Sequence, residues 1–169
     1  MRLFIMRHGI AEDLGGAVRR DADRPLSFIG SERTEKIAQV LHTICGGLDV
    51  IISSPLLRAR QTADLVNAPF KTRREILDCL RPGGDPEEIL SQLRTYATDS
   101  CLVVGHMPDI SILASYCLCS TPARVFMQFQ KAAVASIIFS RVPYMASGVL
   151  EWLIQPDHLL SLFAGRDEL

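Results

Sequence analysis

The sequence lacks a long apolar run and an excess of charge of either sign. Its longest apolar stretch, Ala132 to Phe139, has the length of a buried strand and falls well short of the roughly 18 residues that a membrane span needs. The 18 basic and 19 acidic side chains give a formal net charge of −1. Because such a protein has no overall field that would hold nucleic acid or an anionic membrane, we expect neither as a partner. Any binding of anions must come from local clusters of basic side chains.

Cysteines are few and follow no pairing pattern. The five cysteines are an odd number in apolar surroundings, which is typical of reduced thiols in a cytosol rather than of a disulfide framework. The N-terminus places four apolar residues between Arg2 and Arg7, too few for the core of a signal peptide. We therefore expect a cytoplasmic protein. The 169 residues are enough for one domain with a substantial core, and we expect a single domain over residues 1–169.

Short apolar runs alternate with helical patterns along the chain. The runs predict strands over residues 3–6, 48–52, 101–104, 133–139 and 149–154. The helical patterns predict helices that follow Pro25-Leu26-Ser27 and end before Gly46, run over 56–66, begin at Pro86, and run over 110–119. This alternation predicts an α/β fold with a mostly parallel sheet between two layers of helices, in which the last two strands form a hairpin-like pair.

Charged and imidazole side chains follow three of the predicted strands. Arg7 and His8 follow the first strand, a serine-proline turn and Arg58 follow the second, and His106 follows the third. Each of these features is common in proteins and carries little information by itself. Because ligands of open α/β sheets bind beyond the carboxyl ends of the strands, the four side chains are expected at one edge of the sheet. Their common placement predicts a single site.

These residue types suit the transfer of a phosphoryl group. A phosphoryl group carries nearly two negative charges at neutral pH, and guanidinium groups such as those of Arg7 and Arg58 bind its oxygens in a bidentate manner. A histidine nucleophile needs one unprotonated ring nitrogen, and we expect the two arginines to disfavour the charged form of His8. His106 can then donate a hydrogen bond to the phosphoryl oxygens, while Gly9 lets the backbone approach the ligand closely.

Two long motifs and several shorter ones resemble those of a known family. Arg7-His8-Gly9, the segment from Ser54 to Ala63, and Val104-Gly105-His106 together resemble the histidine phosphatase superfamily, which also contains the cofactor-dependent phosphoglycerate mutases. Within it, the chain is similar to the short bacterial phosphohistidine phosphatases of the SixA type. The similarity to that group rests on the small size and on Arg24-Pro25-Leu26-Ser27, Pro82-Gly83-Gly84-Asp85 and Trp152-x-Ile154-x-Pro156.

The resemblance implies a fold, a mechanism and a set of partners. It implies a three-layer α/β/α sandwich of the phosphoglycerate mutase type, with one antiparallel strand in the sheet. It implies that His8 is the phosphorylated nucleophile, that Arg7, Arg58 and His106 form the phosphate pocket, and that neither a metal nor an organic cofactor takes part. The implied substrate is a phosphorylated protein of the histidine-containing phosphotransfer type. A small phosphate monoester is the alternative, and a non-catalytic phosphate-binding module is the alternative from another class.

The general acid of larger family members has no clear counterpart here. Those members carry a glutamate after the second motif, where this chain offers Glu75, Asp78, Asp85, Glu87 and Glu88. Asp85 is the candidate acid, although a helix cap explains this residue equally well. Because phosphorus–nitrogen bonds to imidazole are labile, expelling histidine needs less help from an acid than expelling an alkoxide. The missing acid therefore favours phosphohistidine as the substrate.

Two basic features outside these motifs have simple interpretations. Arg19, Arg20 and Arg24 belong to a polar segment from Glu12 to Arg24, which we interpret as a solvated loop, with a docking rim for a partner protein as the alternative. Lys131 precedes the run of small and apolar residues near the C-terminus. We interpret it as a strand-edge lysine, with a position at the mouth of the pocket as the alternative.

Overall fold

A computed structural model of the chain describes residues 1–16, 18–119 and 125–164. Its strands are β1 (Arg2–Arg7), β2 (Val50–Ser53), β3 (Arg73–Ile76), β4 (Ser100–Gly105), β5 (Val134–Phe139) and β6 (Gly148–Ile154). Its α-helices are α1 (Phe28–Cys45), α2 (Leu57–Phe70), α3 (Pro86–Arg94), α4 (Asp109–Leu118) and α5 (Pro156–Ala164), and short 3₁₀ helices lie at Asp21–Asp23 and Asp78–Leu80.

The strands form one sheet in the order β3-β2-β4-β1-β5-β6. The four strands from β3 to β1 are parallel, whereas β5 pairs antiparallel with both β1 and β6. Within the described residues, β5 is thus the one strand that runs opposite to the others. This is the mostly parallel sheet with one antiparallel strand that the sequence predicts.

An apolar core lies on each face of the sheet. Alternate residues of a strand point to opposite faces, so Leu3 and Ile5 of β1 pack with α3 and α4, whereas Phe4 and Met6 pack with α1, α2 and α5. All four side chains are almost completely buried. The predicted three-layer α/β/α sandwich is therefore confirmed. Among the described helices, none combines the length and the apolar composition that a bilayer crossing requires.

Two elements were missed by the sequence analysis, which assigned no structure to β3 or α5. β3 consists of Arg73, Arg74, Glu75 and Ile76, and its side chains are mostly exposed. It lies at the edge of the sheet and pairs with β2 along one side, so it needs no apolar run of its own. α5 is short and packs through the fully buried Leu159 against the core beside α1.

The polar segment after β1 is closed at its base by backbone hydrogen bonds. The Ser27 amide donates to the Ile10 carbonyl at 2.9 Å, and the Glu12 amide donates to the Pro25 carbonyl at 2.9 Å. The Ser27 hydroxyl also caps α1 by accepting from the Gly30 amide at 3.0 Å. A Cβ atom at Gly30 would overlap the Ile10 carbonyl, so this glycine allows the first turn of α1 to press against the chain that leaves β1. The segment is thereby anchored beside the end of β1.

Candidate active site

Strand pairing brings three chain segments together at one edge of the sheet. In the parallel registers, Arg7 of β1 lies opposite Gly105 of β4, and Ser53 of β2 lies opposite Val104. The ladder continues one residue further, since the amide of His8 donates to the Gly105 carbonyl at 3.1 Å. The residues that follow these strands are therefore neighbours. The structure brings His8, Arg58 and His106 together at this edge.

His8 is held as one defined tautomer. Its Nδ1 atom lies 2.7 Å from the carbonyl oxygen of Gly9, and its Nε2 atom lies 3.2 Å from Nε of Arg58. A carbonyl oxygen accepts a proton but cannot donate one, whereas a guanidinium donates but cannot accept. The ring proton is therefore on Nδ1, and Nε2 presents its lone pair. That lone pair is what a nucleophile requires.

Burial, more than charge, keeps His8 neutral. Burial and then the positive charge of Lys131 lower the pKa of His8 to about 2, with smaller contributions from His106 and Arg58, although the Gly9 carbonyl acts in the opposite direction. Arg58, one of the two arginines expected to disfavour the charged form of His8, is among these causes, and the same expectation for Arg7 stays a prediction. The imidazole lies in a dry environment because it is 4% exposed.

Lys131 lies beside Arg7 at the edge of the sheet that carries His8. The two side chains line an open surface pocket of about 340 Å³, and the charge of Lys131 adds to burial in lowering the pKa values of both His8 and His106. β5 runs antiparallel, so the residues just before it lie at the same edge of the sheet as the end of β1. That topology is the signal that would have placed Lys131 near the pocket.

Arg7 has a guanidinium group that is only partly engaged. Its Nη1 donates to the carbonyl oxygen of Phe129 at 2.7 Å. Its Nε is buried and has no hydrogen-bond partner among the described residues. A buried donor without a partner is unfavourable, so this group is suited to an anion that supplies the missing acceptor.

His106 stands beside His8 with one free ring nitrogen. The two ring centroids are 5.0 Å apart, and Nε2 of His106 lies 2.8 Å from the hydroxyl oxygen of Ser54. Burial, followed by the charge of Arg58, lowers the pKa of His106 to about 4. Nδ1 is buried without a partner among the described residues. When Ser54 donates to Nε2, the proton of the neutral ring is on Nδ1 and can be donated to an oxyanion.

Arg58 connects the site to the segment between Glu12 and Arg24. It is the second residue of α2, and its side chain is 6% exposed. Its Nη1 donates to the backbone carbonyl of Asp21 at 2.6 Å, and its Nη2 donates to the Asp21 carboxylate at 2.9 Å. Asp21 is not among the site residues predicted from the sequence. An aspartate in a polar, charged loop gives no sequence signal that distinguishes it from its neighbours.

The packing around Gly9 requires a glycine. Its amide donates to the hydroxyl of Thr62 at 3.0 Å and is therefore already engaged. A Cβ atom at this position would lie 2.6 Å from Oγ1 of Thr34 and 3.1 Å from Cδ2 of Leu26. Gly9 thus allows close packing against α1 and the chain before it. That Gly9 also lets the backbone approach the ligand closely stays a prediction.

Asp85 has the geometry of a helix cap. Its side chain is exposed, and its carboxylate accepts from the Glu87 amide at 3.2 Å at the start of α3. The described hydrogen bonds do not connect it to His8, Arg58 or His106. No group of three or more histidine, cysteine, aspartate or glutamate side chains in the described residues is arranged to hold a metal ion.

The neutral histidines predict how stability depends on pH. The pKa values of His8 and His106 in the folded protein, about 2 and about 4, lie below the ordinary value of 6.5. Below about pH 6.5 the unfolded chain therefore binds protons that the folded protein does not, so the free energy of unfolding falls as the pH falls. Each histidine contributes a slope of at most about 1.4 kcal/mol per pH unit.

We expect His8→Gln to flatten the decrease in stability between about pH 6.5 and about pH 4.5, as measured by urea unfolding. His42→Gln is the matched control because His42 is exposed on α1, and it should leave the slope unchanged. If His8→Gln and the wild type had the same slope, His8 would not be neutral in the folded protein.

Comparisons with known proteins agree with this geometry. A model of the histidine phosphatase superfamily (branch 1) matches residues 3–83, a range that contains His8 and Arg58. An uncharacterized protein of Picosynechococcus sp. strain PCC 7002 is 40% identical over 114 residues, which is 65% of this chain and 68% of that protein.

Solved structures share the fold over most of the chain. The structure of the protein histidine phosphatase SixA complexed with tungstate is 30% identical, with a TM-score of 0.81 over 94% of this chain and 99% of that one. A candidate phosphohistidine phosphatase SixA of Agrobacterium tumefaciens is 21% identical, with a TM-score of 0.74 over 90% of this chain and 96% of that one. Sequence motifs, site geometry and similarity over nearly the whole chain agree that this protein belongs to the histidine phosphatase superfamily.

Proposed function

We propose that this protein removes phosphoryl groups from phosphohistidine on another protein, through an intermediate in which His8 carries the phosphoryl group. The observation that carries the proposal is the state of His8. Its Nδ1 proton is engaged by Gly9, and the lone pair of Nε2 faces Nε of Arg58 at 3.2 Å. A buried neutral imidazole in contact with a guanidinium group is a nucleophile placed where negative charge is stabilised.

The reaction then has two balanced steps. In the first, Nε2 of His8 forms a bond to phosphorus while the phosphorus–nitrogen bond of the substrate breaks. The other ring nitrogen of the substrate histidine carries a proton, so the leaving imidazole keeps the electron pair and departs neutral. In the second, water supplies the oxygen of a new bond to phosphorus, and the bond to Nε2 of His8 breaks. The electron pair returns to Nε2, and a proton of the water leaves with inorganic phosphate or with solvent. His8 ends as it began.

The surrounding cations suit a group with nearly two negative charges. Lys131 is half-buried, and burial followed by the charges of Arg7, Arg24 and Arg58 lowers its pKa. These mutual effects mean that several positive charges share a small volume. An incoming phosphoryl group relieves their repulsion, and the unpartnered Nε of Arg7 and Nδ1 of His106 offer donors to its oxygens. Stabilisation of this kind at developing negative charge is the largest contribution in many enzymes.

The ionisation of the nearest carboxylate supports phosphohistidine over alkyl phosphates. Burial raises the pKa of Asp21, but hydrogen bonds from Arg58 and Arg24 outweigh burial, so the pKa lies below its ordinary value. Asp21 is therefore ionised at neutral pH and unsuited to protonating a leaving group. Asp85 caps a helix. Neither of these two carboxylates of the described residues is suited to act as a strong acid at the site, and this favours a leaving group that needs little protonation, such as imidazole. The similarity to the protein histidine phosphatase SixA supports the same substrate.

The role of His8 predicts a phosphorylated intermediate. During turnover, acid-labile and alkali-stable phosphate should be trapped on His8, because a phosphorus–nitrogen bond is cleaved by acid. His8→Ala should abolish both the trapped phosphate and the turnover, whereas the control His42→Ala, on the exposed surface of α1, should retain both. If His8→Ala kept near-normal turnover, another residue would be the nucleophile.

The assignment of Asp85 as a helix cap predicts how its substitution affects substrates with different leaving groups. Asp85→Asn should barely change hydrolysis of a phosphohistidine peptide or of nitrophenyl phosphate, since both have good leaving groups. The same substitution is expected to slow hydrolysis of an alkyl phosphate only if Asp85 acts as an acid. The measurement is kcat/KM for the three substrates in the presence of a chelator. Equal loss with all three would assign Asp85 to structure or phosphate binding. Faster wild-type hydrolysis of alkyl phosphates than of phosphohistidine would refute the proposed substrate and leave the role of His8 in place.

A further inference from the structure

Asp21 holds the guanidinium group of Arg58 from two sides. The backbone carbonyl of Asp21 accepts from Nη1 at 2.6 Å, and its carboxylate accepts from Nη2 at 2.9 Å. The third contact of the guanidinium is made by Nε, which faces Nε2 of His8 at 3.2 Å. Since the guanidinium is planar and rigid, the two contacts with Asp21 fix where Nε points.

The segment that carries Asp21 is itself fixed. Asp21 begins the 3₁₀ helix Asp21–Asp23, and its carboxylate also accepts from Nη1 of Arg24 at 3.1 Å. The side chain of Arg24 in turn binds the Glu12 carbonyl, beside the backbone bonds that close the base of the segment. A continuous path of hydrogen bonds therefore runs from the end of β1 through Arg24 and Asp21 to Arg58.

We propose that Asp21 is a positioning residue, which orients Arg58 so that the donors not engaged by Asp21, Nε among them, meet the phosphoryl group transferred to His8. This inference rests on the proposed function, because it concerns the same site. Arg58 has five N–H donors, of which the three contacts named above use one each. When a phosphoryl group is bonded to Nε2 of His8, Nε of Arg58 loses its present acceptor and faces the phosphoryl oxygens. Because Asp21 already holds the guanidinium in that position, Arg58 does not have to move during the reaction.

Because Asp21 is negatively charged, its effect on the orientation of Arg58 can be distinguished from an electrostatic attraction of the substrate. A carboxylate next to the phosphate position repels an anion in the ground state, so Asp21 does not promote substrate binding by its charge. Its benefit appears when the phosphoryl group is being transferred, because donors must then be correctly aligned. Positioning therefore predicts a loss in kcat with little loss in affinity, which a general loosening of the loop would not produce.

The test compares Asp21→Asn with Asp23→Asn. Asparagine at position 21 keeps an acceptor oxygen and the backbone contact but loses the ionic bond to Arg58. Asp23 is a matched control in the same 3₁₀ helix, because its side chain is 49% exposed, compared with 51% for Asp21, and pairs with Arg20 at the surface. With nitrophenyl phosphate as the substrate, we expect Asp21→Asn to lower kcat by about 10- to 100-fold. The binding of inorganic phosphate should be unchanged or tighter. Asp23→Asn should match the wild type in both.

A double-mutant cycle tests whether Asp21 acts through Arg58. In an Arg58→Lys background the planar fork is absent, so Asp21→Asn should change kcat by less than about 2-fold further. An increase in kcat/KM for Asp21→Asn would make Asp21 an inhibitory cover and overturn the proposal. Equal losses for Asp21→Asn and Asp23→Asn, or additive effects in the cycle, would also overturn it. In each of these outcomes the wild-type protein still turns over substrate, so only the role of Asp21 is refuted. The proposed function itself would be refuted if the wild-type protein were inactive and carried no phosphate on His8.

Discussion

The hydrogen bond between Nε of Arg58 and Nε2 of His8 is the interaction on which the rest of the site depends. A guanidinium cannot accept a proton, so this contact is compatible with a neutral His8 whose lone pair is on Nε2. The Gly9 carbonyl fixes the other ring nitrogen. Burial then makes the charged form unfavourable. Three independent features thus select one protonation state, and the position of the nucleophilic atom follows from it.

The arrangement of donors and positive charges at the site costs stability. Arg7 Nε and His106 Nδ1 are buried without partners among the described residues, and an unsatisfied buried donor costs about 1–3 kcal/mol. Arg7 and Arg58 also repel Lys131, as the lowered pKa of Lys131 indicates, although burial is the first cause of that shift. A phosphoryl group bound at these side chains would relieve both costs. The fold therefore holds donors and positive charges in place before the ligand arrives, as expected of a preorganised site.

Sequence patterns predicted the fold and the convergence of the catalytic groups more completely than the details of their contacts. Buried parallel strands leave continuous apolar runs, so β1, β2 and β4 and the side chains at their ends could be located. β3 could not, because an exposed edge strand carries no such pattern. Asp21 reaches the site through loop geometry, which local spacing does not encode. Lys131 reaches it through the antiparallel strand β5, so its place follows from the topology and not from the neighbouring residues. The packing of Gly9 against Thr34 could not be predicted, because it is a contact between distant segments.

The central claim is that Nε2 of His8 receives the phosphoryl group within a pocket formed by Arg7, Arg58 and His106. A crystal structure of the protein with bound vanadate, an analogue of a phosphoryl group in transfer, tests it most directly. The account predicts vanadium at bonding distance from Nε2 of His8, with its oxygens within about 3 Å of Arg58, of Nε of Arg7 and of Nδ1 of His106. Vanadate bound elsewhere, or bound to Nδ1 of His8 or to His106 instead, would contradict it.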